Sequence, residues 1–312
     1  MERAVEIDPT LLLAHAKLAQ LAWRVEEDLE KGEGHVEKVN EHPDLLTAEV
    51  ASEVASYYAE SNRPEIAEQW HRAALEQDTN YWPARLALSR LLLERGENQK
   101  ALKLLERARE EGVEDIRLSA YLADAYRQSE KYDRAIDQIN RVIEEFPKNE
   151  EYVFIRGRIY FDRGNYDTAR QDFNKAYELN PRYHQAYFFV GRTAFSQGDY
   201  DTATRIFRHV LDYRPNNGEF HYWMGRAYEQ ENRTGQALEE YRKASAVDEA
   251  YAVRNPELFI RRGRLLARLG YSVEGRKDIE RALELAPEMD EAPIAMGETT
   301  VGEQKDGKAI DN

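Results

Sequence analysis

The chain is predicted to be all-α, built from antiparallel helix pairs that stack one on the next. Three observations carry this. Pro, Asn-Pro or Gly punctuates the sequence every fifteen to twenty residues, with apolar residues spaced by three and four between. No stretch sustains the alternation of a strand. Arg158, Arg192 and Arg226 stand 34 residues apart, each directly after a glycine (Gly157, Gly191, Gly225). A fixed period of that length marks units that bury their apolar faces against their neighbours.

The first 47 residues are irregular. Glu2 to Pro9 reads as the end of a second helix with no first helix before it, so the chain is expected to be a fragment of a longer protein. Leu11 to Glu30 can form a long helix, and His35 to Glu41 a short, imperfect one. Seven units then follow in register, at about 48–81, 82–115, 116–149, 150–183, 184–217, 218–255 and 256–287. In the clearest, Val153, Gly157 and Tyr160 mark a first helix and Gly164 a turn. Ala169, Phe173 and Ala176 mark a second helix, which Pro181 stops. Gly157 and Ala169 lack bulk where the two helices cross, and the aromatic residues fill the space beside that crossing. In the last unit Gly275 takes the place of a small alanine, which weakens its helix by about 1 kcal/mol. Four extra residues between Val247 and Asn255 predict a longer loop that tilts the final unit. Residues 288–312, rich in Glu, Asp, Gly and Thr, read as a disordered acidic tail. Within it Ala292 to Met296 reads as exposed linker, with a short linear motif as the alternative.

These spacings resemble the tetratricopeptide repeat family, whose 34-residue unit reads W-x2-L-G-x2-Y, then A-x3-F, then A and P. Tyr187, Gly191, Ala203, Phe207 and Pro215 fit it, as do His221, Gly225, Tyr228, Ala237, Tyr241 and Ala244. The resemblance implies a right-handed α-solenoid whose first helices line a concave groove. It implies that the fifth, ninth and twelfth positions of each unit point into that groove. The fifth positions include Phe154, Phe188, Tyr222 and Ile260; the ninth are Arg90, Arg158, Arg192, Arg226 and Arg264; the twelfth include Phe161 and Phe195. The family's clamp for chaperone tails needs Lys and Asn at the fifth and ninth positions, so that activity is not expected here.

Residue type gives the stripe its chemistry. On a helix, i, i+4 and i+7 share a face, so Phe154, Arg158 and Phe161 place a guanidinium between two rings, as do Phe188, Arg192 and Phe195. Arginine offers a planar fork of donors suited to carboxylates, and exposed rings invite apolar side chains. The leading expectation is a groove for a partner-protein segment carrying acidic and hydrophobic residues. Two other readings stay open: a structural ladder in which the arginines neutralise Asp124, Asp162 and Glu229, and a groove filled by the chain's own tail through Glu288, Asp290, Glu291 and Glu298.

Composition narrows the classes. With 42% hydrophobic, 33% charged and 11% aromatic residues, the chain is too aromatic for disorder and too charged for a membrane protein. A formal net charge of −15 opposes generic binding to nucleic acid or anionic lipid. The absence of cysteine excludes disulfides and thiolate chemistry. The seven histidines show no zinc spacing, no phosphate loop is present, and no nucleophile stands beside a base. His221 is expected to be a packed core histidine. Neither a cofactor nor catalysis is expected. The expectation is a non-catalytic interaction scaffold in a bacterial multiprotein assembly, cytoplasmic in the absence of a signal peptide. The alternatives are a substrate-recruiting region of a larger glycosyltransferase or peptidase, and a single-stranded nucleic-acid groove.

Overall fold

The computed structural model describes residues 1–297, all helix and turn among those residues. The helices fall into two compact units, 1–147 and 148 onward. In the first unit, α1 (Glu2–Ile7) precedes a pair α2 (Leu12–Glu26) and α3 (Leu29–Asn40), then a 3-10 turn at Pro43–Leu45. Three further pairs follow: α4 (Ala48–Glu60) with α5 (Pro64–Gln77), α6 (Trp82–Glu94) with α7 (Asn98–Glu110), and α8 (Ile116–Gln128) with α9 (Tyr132–Glu145). The second unit repeats the scheme with α10 (Glu150–Asp162) and α11 (Tyr166–Leu179), α12 (His184–Ser196) and α13 (Tyr200–Tyr213), α14 (Gly218–Gln230) and α15 (Thr234–Val247). A short α16 (Glu249–Arg254) leads to α17 (Glu257–Arg268) and α18 (Ser272–Leu285). Within each unit, every pair packs on the next, which makes the fold an α-solenoid of stacked antiparallel pairs.

Local chemistry sets these boundaries. Asn149 caps α10 by accepting from the backbone N–H groups of Glu151 and Tyr152 at 3.0 and 3.1 Å, and Asn217 caps α14 by accepting from Phe220 at 2.9 Å. Each first helix from α4 onward ends on a residue of positive φ: Asn62, Gly96, Glu130, Gly164, Gly198, Asn232 and Gly270. Glu130 is the costly member of that series, at φ 57°. Inside the pairs a small residue faces a large one. A Cβ on Gly157 would lie 2.7 Å from the Phe173 ring, one on Gly191 2.7 Å from Phe207, and one on Gly225 2.7 Å from Tyr241. All three rings are fully buried.

Three sequence expectations need correction. The single long helix from Leu11 to Glu30 is broken: Glu27 turns left-handed at φ 53°, and Asp28 starts α3 by accepting from Lys31 N–H at 2.9 Å. Gly32 and Gly34, which look like breakers, sit inside α3, and Gly32 lets the Tyr57 hydroxyl come so close that a Cβ would meet it at 2.6 Å. The inserted residues near 250 form α16 instead of a loop, capped by Asp248, which accepts from Tyr251 N–H at 2.8 Å. Residues 291–297 are helical, not disordered or exposed linker, and Ala292 and Ala295 are fully buried against Ile260, Ile279 and Ala282. Gly297 stands 34 residues after Gly263, so the repeat period continues into the stretch read as tail. The rest of the expected tail, 298–312, lies outside the described residues.

Candidate functional site

Three ninth-position arginines of the second unit, Arg158, Arg192 and Arg226, are joined through rings. The Arg158 guanidinium carbon lies 5.7 Å from the centroid of the Phe189 ring, and Arg192 lies 5.0 Å from the same centroid. Arg192 also lies 4.1 Å from the Trp223 ring and 5.3 Å from Phe161. Arg226 repeats this, 4.5 Å from Trp223 and 5.2 Å from Phe195. Cation–π stacking of this kind contributes about 0.5–1 kcal/mol per exposed contact and more when desolvated. The twelfth-position rings are half-buried; Phe161 meets Phe189 edge-on at 6.0 Å, and Phe195 meets Trp223 edge-on at 5.4 Å.

The fifth positions do not join this face. Phe154, Phe188, Tyr222 and Ile260 are 7%, 0%, 3% and 0% exposed, so they belong to the core and line no groove. The cause is the antiparallel partner. Phe154 packs on Phe173 at 5.5 Å and on Tyr183 at 5.1 Å; Phe188 packs on Phe207 at 5.3 Å and stacks on Phe220 at 4.4 Å. Tyr222 packs between Tyr241 and Tyr251, and burial pushes its phenol up to about 12. Ile260 packs with Ile279. Of the fifth-position residues only Tyr222 approaches an arginine among the described residues, 5.9 Å from Arg226; the rings nearest the arginines come one residue later, at Phe189 and Trp223. Sequence reasoning missed both, although they too stand 34 residues apart. Arg90 lies in the first unit, exposed, 3.9 Å from Glu94 on its own helix and with no ring beneath it among the described residues.

Electrostatics distinguish the arginines from one another. Three of the acids that approach them sit at the second position of the following repeat, Glu219 beside Arg192, Glu257 beside Arg226 and Glu291 beside Arg264, and Asp162 also attracts Arg192. Of the three, only Glu291 closes to an ion pair, at 3.6 Å. Glu257 is instead taken by Arg261 at 2.6 Å, and Glu229 accepts from Tyr241 Oη at 2.7 Å and pairs with Arg261 at 3.3 Å. The expected partner Asp124 pairs with Arg127. Arg192 and Arg226 therefore pair with no carboxylate among the described residues, and the Nε of each is buried without a hydrogen-bond acceptor. Burial, reinforced by the Arg158 and Arg226 cations, holds the Arg192 guanidinium below the usual arginine range against the pull of Glu219.

The polar cluster around His221 is structural. His221 is buried, its Nδ1 2.6 Å from Glu240 and its Nε2 2.9 Å from the Pro215 carbonyl, so neither ring nitrogen is left for chemistry. No group of three or more potential metal ligands occurs among the described residues, and no helix there is long and apolar enough to cross a membrane.

Family models described as tetratricopeptide repeat match residues 58–120, 121–184 and 194–252. Among solved structures, a tetratricopeptide repeat protein from Parabacteroides merdae ATCC 43184 is 19% identical with a TM-score of 0.61, covering 81% of this chain and 98% of its own. The APC/C hetero-tetramer Cut9–Hcn1 is 14% identical with a TM-score of 0.64, covering 95% of this chain, which spans 56% of that one. A human IFIT1 dimer with PPP-AAAA is 18% identical with a TM-score of 0.60, over 82% of this chain and 69% of that one. At these identities the likeness shows the fold. No curated protein sequence matches this one. Helix pairing, repeat period and matched models agree: the chain belongs to the tetratricopeptide repeat family.

Proposed function

We propose that this chain is a protein-interaction scaffold that binds an acidic-hydrophobic segment of a partner protein on the arginine and ring face of its second unit. One observation carries the reading: half-buried Arg192 and Arg226 flank Trp223, each with its Nε out of solvent and with no carboxylate partner among the described residues. A cation partly withdrawn from water and left unpaired is costly, and an incoming carboxylate that pairs with it lowers that cost. The stacked rings hold each guanidinium plane in place and leave its edge to accept a bidentate carboxylate. Half-buried Phe161, Phe195 and Trp223 supply apolar surface beside each cation. Arg158 and Arg264 extend the row. Half-buried Trp223, Phe161 and Phe195 carry the apolar part of this site; buried Phe189 and the fifth-position residues do not. The net charge of −15 weighs against single-stranded nucleic acid as the ligand. A bacterial multiprotein assembly is one setting for the same face; substrate recruitment for a larger glycosyltransferase or peptidase is the alternative.

The test compares proteins captured from native lysate by wild type and by the Arg158/Arg192/Arg226 triple alanine variant. The reading expects the specifically retained partner to disappear with little change in melting temperature. Equal retention by both proteins would refute it.

A further inference from the structure

A second surface, in the first unit, has a different make-up. A cleft of about 470 Å³ opens between α5, α6 and α7. Its floor is Leu75, Leu88, Leu92 and Leu104, of which Leu88 and Leu92 are almost fully buried. Its rim carries Arg72, Lys100, Lys103 and Arg107 against the single carboxylate of Glu76. Arg72, Lys100 and Arg107 are held by Glu68, Glu97 and Glu111, acids outside the cleft, whereas Lys103 has no carboxylate partner among the described residues. Lys100, Lys103 and Arg107 follow each other at i, i+3 and i+7 on α7, a row about 10 Å long beside the leucines.

We propose that this cleft is a docking site for a short amphipathic helix of a partner protein. That helix carries carboxylates three and four residues apart along one face and leucine-like side chains next to them. The spacing argues for a helix: cations one turn apart on α7 match carboxylates one turn apart on an opposed helix. The volume suits one or two large apolar side chains, and Lys103, the rim cation with no carboxylate partner among the described residues, favours an acidic partner. The site shares no residue with the arginine face of the second unit, so each stands or falls separately.

The probe is a fluorescein-labelled helical peptide with glutamates at that spacing and leucines beside them, titrated by anisotropy. Its control is the same peptide with glutamine for every glutamate. The proposal expects the acidic peptide to bind at least about tenfold more tightly than the control at low salt. Lys103→Glu should lose that preference with its melting temperature kept, and Arg192→Ala/Arg226→Ala should keep it. Equal binding of the two peptides, or an unchanged affinity in Lys103→Glu, overturns it. So does binding of dodecanoate with no binding of the peptide, which assigns the cleft to a single-chain amphiphile. Loss of the preference in Arg192→Ala/Arg226→Ala alone places the peptide on the other face and also overturns it.

Discussion

The Arg192 guanidinium carbon lies 4.1 Å from the centroid of the Trp223 ring, which comes from the next repeat. This contact stacks a cation without neutralising it, which separates stability from binding. Arg192→Met keeps the length and apolar stem of the side chain and removes an unpaired, half-buried charge. It should change folding stability by less than about 1 kcal/mol, or raise it, while weakening the partner more than about tenfold. Thermal melts alongside calorimetric binding check both halves. A large loss of stability with intact binding would make the arginines a structural ladder.

The turn series yields a stabilising substitution. Glu130 holds a left-handed conformation at a position where four other repeats use glycine, and its side chain is exposed. Glu130→Gly should raise stability by about 1 kcal/mol, read from chemical denaturation midpoints. An unchanged or lowered midpoint contradicts the turn argument.

Two glycines in helices should respond with opposite sign to alanine. Gly34 faces open space in α3, so Gly34→Ala should stabilise by about 0.5–1 kcal/mol. In Gly275→Ala the new Cβ would meet the Gly263 carbonyl oxygen at 2.5 Å, a backbone atom with no room to retreat. That crowding should cost about 1–3 kcal/mol and outweigh the propensity gain. Equilibrium unfolding of both variants decides it.

Acid should weaken the first unit early. Burial, with Arg90 nearby, pushes the His71 imidazole down to about 4, and burial also lowers His15 and His35. An unfolded histidine takes its proton near 6.5, so the stabilisation is complete above that pH and drains away as pH falls toward 4. For His71 this amounts to about 3 kcal/mol at most. Melts of wild type and His71→Leu between pH 7.5 and 4 should converge in stability loss only if His71 contributes nothing.

The helix at 291–297 should act as a lid on the last pair. Ala295 is fully buried against Ile260, Ile279 and Ala282, so Ala295→Asp places an unpaired charge in that core. A loss of about 2–4 kcal/mol is expected by denaturation, and Ile294→Asp, at an exposed site, should cost little.

The repeat period made most of the fold legible, because a 34-residue spacing of Gly, Ala and aromatic residues encodes the helix crossing itself. It did not tell which side of the first helix each ring takes. Phe188 and Phe189 are adjacent, aromatic and both buried, and only their neighbours tell them apart: Phe188 packs on Phe207 and Phe220, whereas Phe189 also meets Arg158 and Arg192. Trp223 stayed hidden for the same reason, beside Tyr222. The helix at 291–297 was missed because its small residues, Ala292, Ala295 and Gly297, carry little apolar signal, although the glycine period ran through it. Glu27 and Asp28 gave no warning of a break, since glutamate has no preference of its own for the left-handed conformation that Glu27 adopts.

Selection of peptides from a random display library on the immobilised chain tests the central claim most directly, followed by calorimetry against Arg192→Met and Arg226→Met. The account predicts selected sequences in which Asp or Glu alternates with Leu, Phe or Trp, and more than about tenfold weaker binding to each variant at unchanged melting temperature. Selected peptides without acidic residues, or with equal affinity for wild type and both variants, would contradict it.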